Sequence, residues 1–378
     1  MLGAIIGDIV GSRFEFNPTN DYNFELFTEA CGFTDDTICT IAVADALLHG
    51  QNSSTPTVPF GEYIHRWCRR YPHPMGSYGG RFAQWVRSNH PEPYNSFGNG
   101  SAMRVSPVAW LADMYAKAIL LAQQSAACTH SHPEGIKGAV AVSIVIFQSL
   151  AKRRVAPLTQ EDIDLCLYMG RLEYPGAENL NIEDYRNRFD ETCQGTVPVA
   201  MKIIEESHSF EDAIRRAVSL GADADTLGAI VGSMAEAIWG IPEEIKAKAM
   251  TYLPQEMRDV INAFQTAISW RYEQPEVQQT SSESAEPELD SLEAFWSMVW
   301  VDPNVALGLA TDRAEQSAPA TAEDWQIEPM PENGVVRVGA HIVLSKEQMA
   351  HLRMGHIPSY QEDHWFMYVD EAQIHIHR

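Results

Sequence analysis

From residue 1 to residue 272 the apolar residues recur at intervals of three and four, and strand-like alternation is scarce. Residues 38–48, 138–150, 197–206 and 227–239 carry the clearest examples. A helix with an apolar stripe must bury it against another element, so this pattern calls for helices packed on helices in one α-helical domain. Small residues sharpen the expectation. Gly3, Gly7 and Gly11 are four apart, as are Gly228 and Gly232. Glycine inside a helix costs about 1 kcal/mol relative to alanine. Its repeated use at this spacing predicts helices whose backbones approach closely.

The pattern changes after Tyr272. Residues 273–290, EQPEVQQTSSESAEPELD, hold no positive charge and few apolar side chains, and read as an acidic linker. A second acidic, Ala- and Pro-rich stretch runs from about residue 312 to residue 333. Beyond it, VVRVGAHIVLS and WFMYVDEAQIHIHR alternate as strands do, around a short helical pattern at 346–354. We expect a catalytic α-helical domain over 1–272 and a small α+β appendage over 291–378. The closing HIHR is too short to define a metal site.

Charge limits the partners. With 51 acidic against 27 basic residues, the formal net charge is −24. Such a surface repels nucleic-acid phosphates and anionic membranes unless a basic patch offsets it, and no basic run occurs. Duplex nucleic acid is therefore disfavoured as an unaided target. No run of 18 uncharged apolar residues suggests a membrane span. The opening MLGAIIGDIVG lacks a basic leader and is interrupted by Asp8, so it does not read as a signal peptide. Six cysteines without a C-x-x-C pair read as buried, reduced thiols and point to the cytosol.

Two segments concentrate the chemistry. Phe33-Thr34-Asp35-Asp36-Thr37 precedes the apolar run ICTIAVADALL, and Gly221-Ala222-Asp223-Ala224-Asp225-Thr226 precedes LGAIVGSMAEAIWG. Each places two carboxylates and a threonine hydroxyl at a helix N-terminus, where free N–H groups and the helix dipole favour negative charge. Capping explains one such side chain in each segment. It does not explain three. If the fold brings both segments together, four carboxylates would repel one another and stay ionised only with cations between them. Oxygen donors without His or Cys favour Mg²⁺ or Mn²⁺ over Zn²⁺.

At this point the chain resembles the ADP-ribosylglycohydrolases, which include the ADP-ribosyl-acceptor hydrolases and the dinitrogenase reductase-activating glycohydrolase. GAIIGDIVGSRFE is similar to the family's opening, FTDDT to its first metal motif and GADADT to its second, with Ala222 where glycine is usual. YPHPMGSYGGRFAQW, FGNGSAMRVSP, THSHPEG and ETCQGTVPVAM resemble motifs lying between them in the same order. The resemblance covers residues 1–245, weakens to 272 and does not reach the C-terminal part. It implies an orthogonal all-α helical bundle with a binuclear Mg²⁺ or Mn²⁺ centre held by Thr34, Asp35, Asp36, Asp223, Asp225 and Thr226. Glu15 matches the glutamate of a segment that closes on metals or substrate. The implied reaction is hydrolysis at the anomeric carbon of the distal ribose, through an oxocarbenium-like transition state, with a cation-acidified water as nucleophile. Asp35, Asp36 or Glu15 would handle the protons.

The intervening motifs have physical readings of their own. The loop Gly76-Ser77-Tyr78-Gly79-Gly80 has exposed amides and little bulk and suits a phosphate, with a plain turn as the alternative. Phe97-Gly98-Asn99-Gly100-Ser101 suits stacking and hydrogen bonding to ribose or adenine, with a simple Asn-Gly turn as the alternative. Met103 and Arg104 would support that loop, Arg104 being equally suited to an ion pair. His130 would contact ribose or diphosphate, or act as a structural hydrogen-bonder, the latter reading being stronger for His132. The expected partner is an ADP-ribosylated protein or small molecule, with ADP-ribose as product. Arginine, serine, a nucleic-acid base or a small ester such as O-acetyl-ADP-ribose all remain open as acceptor. Two rivals stand beside this reading: a metal-dependent phosphoesterase acting on the diphosphate, and a non-catalytic binding or structural protein on the same fold.

Overall fold

A computed structural model describes residues 1–50, 58–269, 366–370 and 373–377. The chain divides into two compact units, Met1–Val277 and Gln278–Arg378. The expected linker, and the helix at 346–354, lie outside the described residues. Within the second unit, Phe366–Asp370 and Gln373–His377 pair as an antiparallel hairpin, Phe366 opposite His377 and Asp370 opposite Gln373.

The described residues of the first unit form helices and no strand, as the spacing of the apolar residues requires. In chain order the helices are α1 (Leu2–Gly11), α2 (Asp35–Gly50), α3 (Phe60–Arg70), α4 (Gly80–Arg87), α5 (Gly100–Met103), α6 (Ser106–Leu111) and α7 (Tyr115–Ala127). There follow α8 (Pro133–Arg153), α9 (Gln160–Arg171), α10 (Cys193–Glu205), α11 (Phe210–Ser219), α12 (Ala224–Trp239), α13 (Glu243–Met250) and α14 (Gln255–Ala267). Side-chain caps set several starts: Thr159 closes a capping box on α9, and Thr192 and Ser209 cap α10 and α11. His132 caps α8 through its ring, Nδ1 accepting from the Glu134 amide at 3.1 Å, so its structural reading holds.

The glycine spacing proves to be a register. α1 is buried along its whole length and runs antiparallel to α12. A Cβ on Gly3, Gly7 or Gly11 would run into the carbonyl oxygens of Gly232, Gly228 and Ala224 in turn. The two backbones touch directly, which only glycine permits. Because Gly11 meets Ala224, the C-terminal end of α1 is locked beside the N-terminal end of α12. That register carries Glu15 to the second acidic motif.

α8 is long and apolar enough to cross a membrane, yet 72% of its most apolar window is buried inside the protein. It packs against α7, α9, α12 and α6 as the central core helix. Trp110, Phe60, Phe210 and Phe264 are fully buried around this framework, each such side chain contributing about 1.5–3 kcal/mol by leaving water. All six cysteines are free thiols and only Cys128 is partly exposed.

Candidate active site

The fold holds the first acidic segment through a residue to which the sequence reading gave no role. Asp8 lies in the middle of α1 and is fully buried. Its carboxylate accepts from the Thr34 amide at 3.0 Å, the Thr34 hydroxyl at 2.8 Å, the Thr37 amide at 3.0 Å and the Thr37 hydroxyl. Asp8 thus satisfies the first turn of α2 from outside. Capping accounts for one Asp or Thr of the motif, and Thr34 does accept from the Asp36 amide at 3.3 Å; the incoming carboxylate takes the other donors, which leaves Asp35 and Asp36 free for other work. The signal was present in the sequence: one charge inside an otherwise apolar, buried helix needs donors from elsewhere.

Asp36 is 1% exposed. The hydroxyl of Thr226, on the other acidic segment, donates to its Oδ2 at 3.2 Å, so the two motifs meet directly. Across from it, Asp223 accepts from the side-chain amide of Asn99 at 2.8 Å, and Asn99 also donates to Thr196 at 3.2 Å. The turn before α12 needs Gly221, whose φ is +73° and whose missing Cβ makes room for the Asn187 side chain. Ala222 follows without positive φ, which explains why alanine is tolerated where glycine is usual.

Glu15 follows the short turn Ser12–Phe14 and is half-buried, with its Oε2 against Gly76. The chain beyond it is laced to α11: Asn20 reaches the Ser219 carbonyl at 3.0 Å, the Tyr22 hydroxyl reaches Asp212 at 2.6 Å, and Arg215 reaches the Phe24 carbonyl at 2.7 Å.

The electrostatic consequence is a concentration of anions in a dry setting. Burial pushes Asp8 up to about 6, against the pull of its threonine donors. Burial and then the charge of Asp225 push Glu15 up to about 8. Asp223 rises to about 7 by burial, opposed by the Asn99 bond. Asp35 and Asp36 rise well above the ordinary carboxylate range, first by burial and then by the charges of Asp225 and Asp8, and Asp225 rises by burial and then by the charges of Asp223 and Asp8. Asp36 Oδ1, Asp225 Oδ1 and Glu15 Oε2 are buried acceptors without a donor. Among the described residues no group of three or more His, Cys, Asp or Glu side chains is placed to hold a metal ion. The arrangement is an open array of carboxylates with acceptor capacity to spare. Glu191, the first residue of the ETCQGTVPVAM motif and given no role of its own above, adds its charge to Glu15 and Asp223.

The glycine loop forms another part of this surface. Gly76 and Ser77 both have positive φ, +78° and +75°, and space is open where a Cβ on Gly79 or Gly80 would stand. Tyr78 points its hydroxyl to the carbonyls of Tyr71, at 2.7 Å, and Cys68. Its hydroxyl anchors the loop, so a ligand role for that group is not supported.

The second loop also divides. Phe97 is 43% exposed, whereas the Asn99 amide is engaged by Asp223 and Thr196. Ser101 is fully buried and donates to the Gly135 carbonyl at 2.6 Å, so it belongs to the packing and not to an open surface. Met103 is buried beneath the loop. Arg104 forms no ion pair among the described residues and bonds the Ser125 carbonyl and the Thr129 hydroxyl instead. His130 is buried with its Nε2 edge toward Gly98 and Gly100.

A helical unit whose paired acidic helix starts meet beside glycine-rich loops is a defined class of protein. Residues 1–280 match the ADP-ribosylglycohydrolase family, and the chain belongs to it. The members of that family are hydrolases acting on glycosidic ADP-ribose linkages, and this chain is an enzyme of that kind. It is 25% identical over 302 residues to the ADP-ribosylarginine hydrolase Tri1 of Pseudomonas putida (strain GB-1), covering 68% of this chain and 76% of the relative. It is 23% identical to the ADP-ribosyl-[dinitrogen reductase] glycohydrolase of Rhodospirillum rubrum, covering 69% and 92% respectively. A solved ADP-ribosylglycohydrolase-related protein complex superposes with a TM-score of 0.52 at 22% identity, over 71% of this chain and 95% of that one, which supports the helical fold.

Proposed function

We propose that this protein is a divalent-cation-dependent hydrolase that releases ADP-ribose from an ADP-ribosylated acceptor. The observation that carries the reading is the meeting of Asp36 with Thr226, together with the buried, donorless oxygens of Asp36, Asp225 and Glu15. Buried acceptors that lack protein donors need protons or cations. All-oxygen donors suit Mg²⁺ or Mn²⁺. Thr34, Asp35, Asp36, Asp223, Asp225 and Thr226 are the residues we assign to hold two such ions. When bound, the ions would supply Lewis-acid polarisation of the ribose hydroxyls and of the attacking water.

The chain's own groups do the rest. Asp8 and Asn99 orient the two acidic helix starts. Glu15, whose proton is held up to about 8, is placed to give a proton to the leaving group or take one from water. The loop at 76–80 offers open space beside Gly79 and Gly80 to the diphosphate, and Phe97 offers a face to a base or ribose.

The acceptor side is acidic and aromatic. Phe16, next to Glu15, is 73% exposed and stacks on Phe189 at 6.4 Å, two residues from Glu191. Carboxylates beside aromatic faces suit a planar cation. That supports an arginine acceptor, in line with the substrate for which the Pseudomonas relative is named. Six free thiols suit a reducing compartment, and we place the protein in the cytosol.

A panel of defined ADP-ribosylated substrates, with products weighed by mass spectrometry, tests the reading. Free ADP-ribose from the arginine conjugate is the expected product. AMP with a phosphoribosylated acceptor would indicate the phosphoesterase reading, and no turnover of any conjugate would indicate a binding protein.

A further inference from the structure

Away from the carboxylates, Arg104 is 1% exposed and has no acidic partner among the described residues. Its Nη2 donates to the Ser125 carbonyl at 3.0 Å and to the Thr129 hydroxyl at 2.7 Å. The Thr129 oxygen, itself fully buried, stands 2.7 Å from Nδ1 of His130. His130 is 5% exposed, and its other nitrogen, Nε2, has no hydrogen-bond partner among the described residues. That nitrogen faces a notch left by two glycines. A Cβ on Gly100 would lie 3.2 Å from Nε2, and one on Gly98 would lie 3.5 Å away.

We infer that Arg104 and Thr129 form a one-way hydrogen-bond chain that fixes His130 with its proton on Nε2, pointing into the Gly98–Gly100 notch as a donor to an oxygen of the substrate. This rests on the proposed function for the identity of the substrate, though not for the chain itself. The direction follows from donor and acceptor chemistry. A guanidinium can only donate, so it takes a lone pair of the Thr129 oxygen. The threonine hydrogen is then free to be given, and the nearest acceptor is Nδ1. The reverse arrangement would turn that hydrogen toward the Cys128 sulfur, a weak acceptor that already faces Arg104 at 3.8 Å. The charge of Arg104 also lies on the Nδ1 side and favours a lone pair there over an N–H. Burial, then Arg104 and Arg81, hold the ring neutral.

The consequence is a division of labour. His130 is a binding group that donates, and its only basic nitrogen is occupied by Thr129. It therefore takes no proton in the reaction, which leaves acid–base work to the carboxylates. Arg104 and Thr129 are positioning residues, acting on substrate only through His130.

Protein labelled with ¹⁵N-histidine reports the tautomer through long-range ¹H–¹⁵N correlation spectra at neutral pH, the His130 signals being those absent from a His130→Gln variant. The wild type should show a protonated Nε2 and a bare Nδ1. Thr129→Val removes the donor with little change in shape. It should shift the ring toward the Nδ1–H form and weaken ADP-ribose binding by calorimetry about tenfold, the size of one lost hydrogen bond to ligand. Thr129→Ser should restore both. Arg104→Met should move the tautomer in the same direction as Thr129→Val, and if it does not fold, the valine and serine pair carries the test. A wild-type ring protonated on Nδ1, or a Thr129→Val protein with the wild-type tautomer, overturns the chain. A correct tautomer in a protein that binds no ADP-ribose supports the chain and overturns the substrate assignment.

Discussion

At the start of α2, Thr34 and Thr37 commit their amides and hydroxyls to Asp8, a buried anion supplied by α1. At the start of α12, Asp223 is held by the neutral side-chain amide of Asn99. Near-identical sequence motifs, two aspartates and a threonine ahead of an apolar helix, are thus held in opposite electrostatic ways. The α2 start is fixed by adding a negative charge to an already negative cluster. The α12 start is fixed without one. The first arrangement gives four donors one rigid acceptor and raises the cost of leaving the carboxylates unscreened. The second leaves charge nearly unchanged and depends on a single amide.

Removing the cations that we assign to the cluster should affect both starts at once. EDTA is expected to abolish hydrolysis, with Mg²⁺ or Mn²⁺ restoring it. Full activity in chelator after exhaustive dialysis would break the two-metal reading. Neutralising one carboxylate on each side comes next. Asp36→Asn and Asp225→Asn should each lower turnover by orders of magnitude, because each bears a donorless oxygen at the meeting point. Their metal-free forms should melt higher than the metal-free wild type, since repulsion is relieved. Wild-type turnover in either variant would remove that residue from the site.

The comparison itself is sharpened by the two holding residues. Asp8→Ala strands the Thr34 and Thr37 donors in the core, each buried orphan costing about 1–3 kcal/mol. Loss of folded protein, read by circular dichroism melting, is the expected outcome. Asn99→Ala should stay folded and lose activity by about 10- to 100-fold, as for other groups that orient a ligand from behind. Equal stability of the two variants would mean that the holding arrangements do not differ as described.

The smallest expected effect is on pH dependence. Asp8, Asp223 and Glu15 have folded values near 6, 7 and 8, against about 4 for unfolded carboxyls. Between those limits the native state holds more protons than the unfolded chain, so stability falls as pH rises. The metal-free protein should therefore gain melting temperature as pH is lowered from about 8 to about 6. Saturating Mg²⁺ should flatten the slope, because the bound ion replaces the proton. A metal-free melting temperature that rises with pH over this range would contradict the buried cluster.

Much of this molecule was legible as sequence. The helical unit followed from apolar spacing, the close approach of helix backbones from glycines four apart, and the acidic segments from the excess of carboxylates over what capping needs. Those are local facts, read within one or two turns of chain. Which partner a side chain takes was not legible. Ser101 looked like a loop hydroxyl and is buried under Gly135; Tyr78 looked like part of a phosphate loop and turns its hydroxyl to Tyr71 and Cys68. Arg104 was suited to supporting the loop or to an ion pair, and among the described residues it makes no ion pair.

The division has a physical cause. Periodicity, glycine and charge density act through the backbone of a single segment, so the chain alone determined that this would be a dense all-helical unit with two anionic helix starts. Which acceptor a donor finds is a matter of distances between segments. Asp8 meets residues 26 and 29 positions away, and Thr226 meets Asp36 across 190. Only the antiparallel register of α1 on α12, set by backbone touching backbone at the glycines, decided that Glu15 would be carried to Asp225, and that Glu15, Asp36 and Asp225 would keep oxygens that no donor among the described residues satisfies.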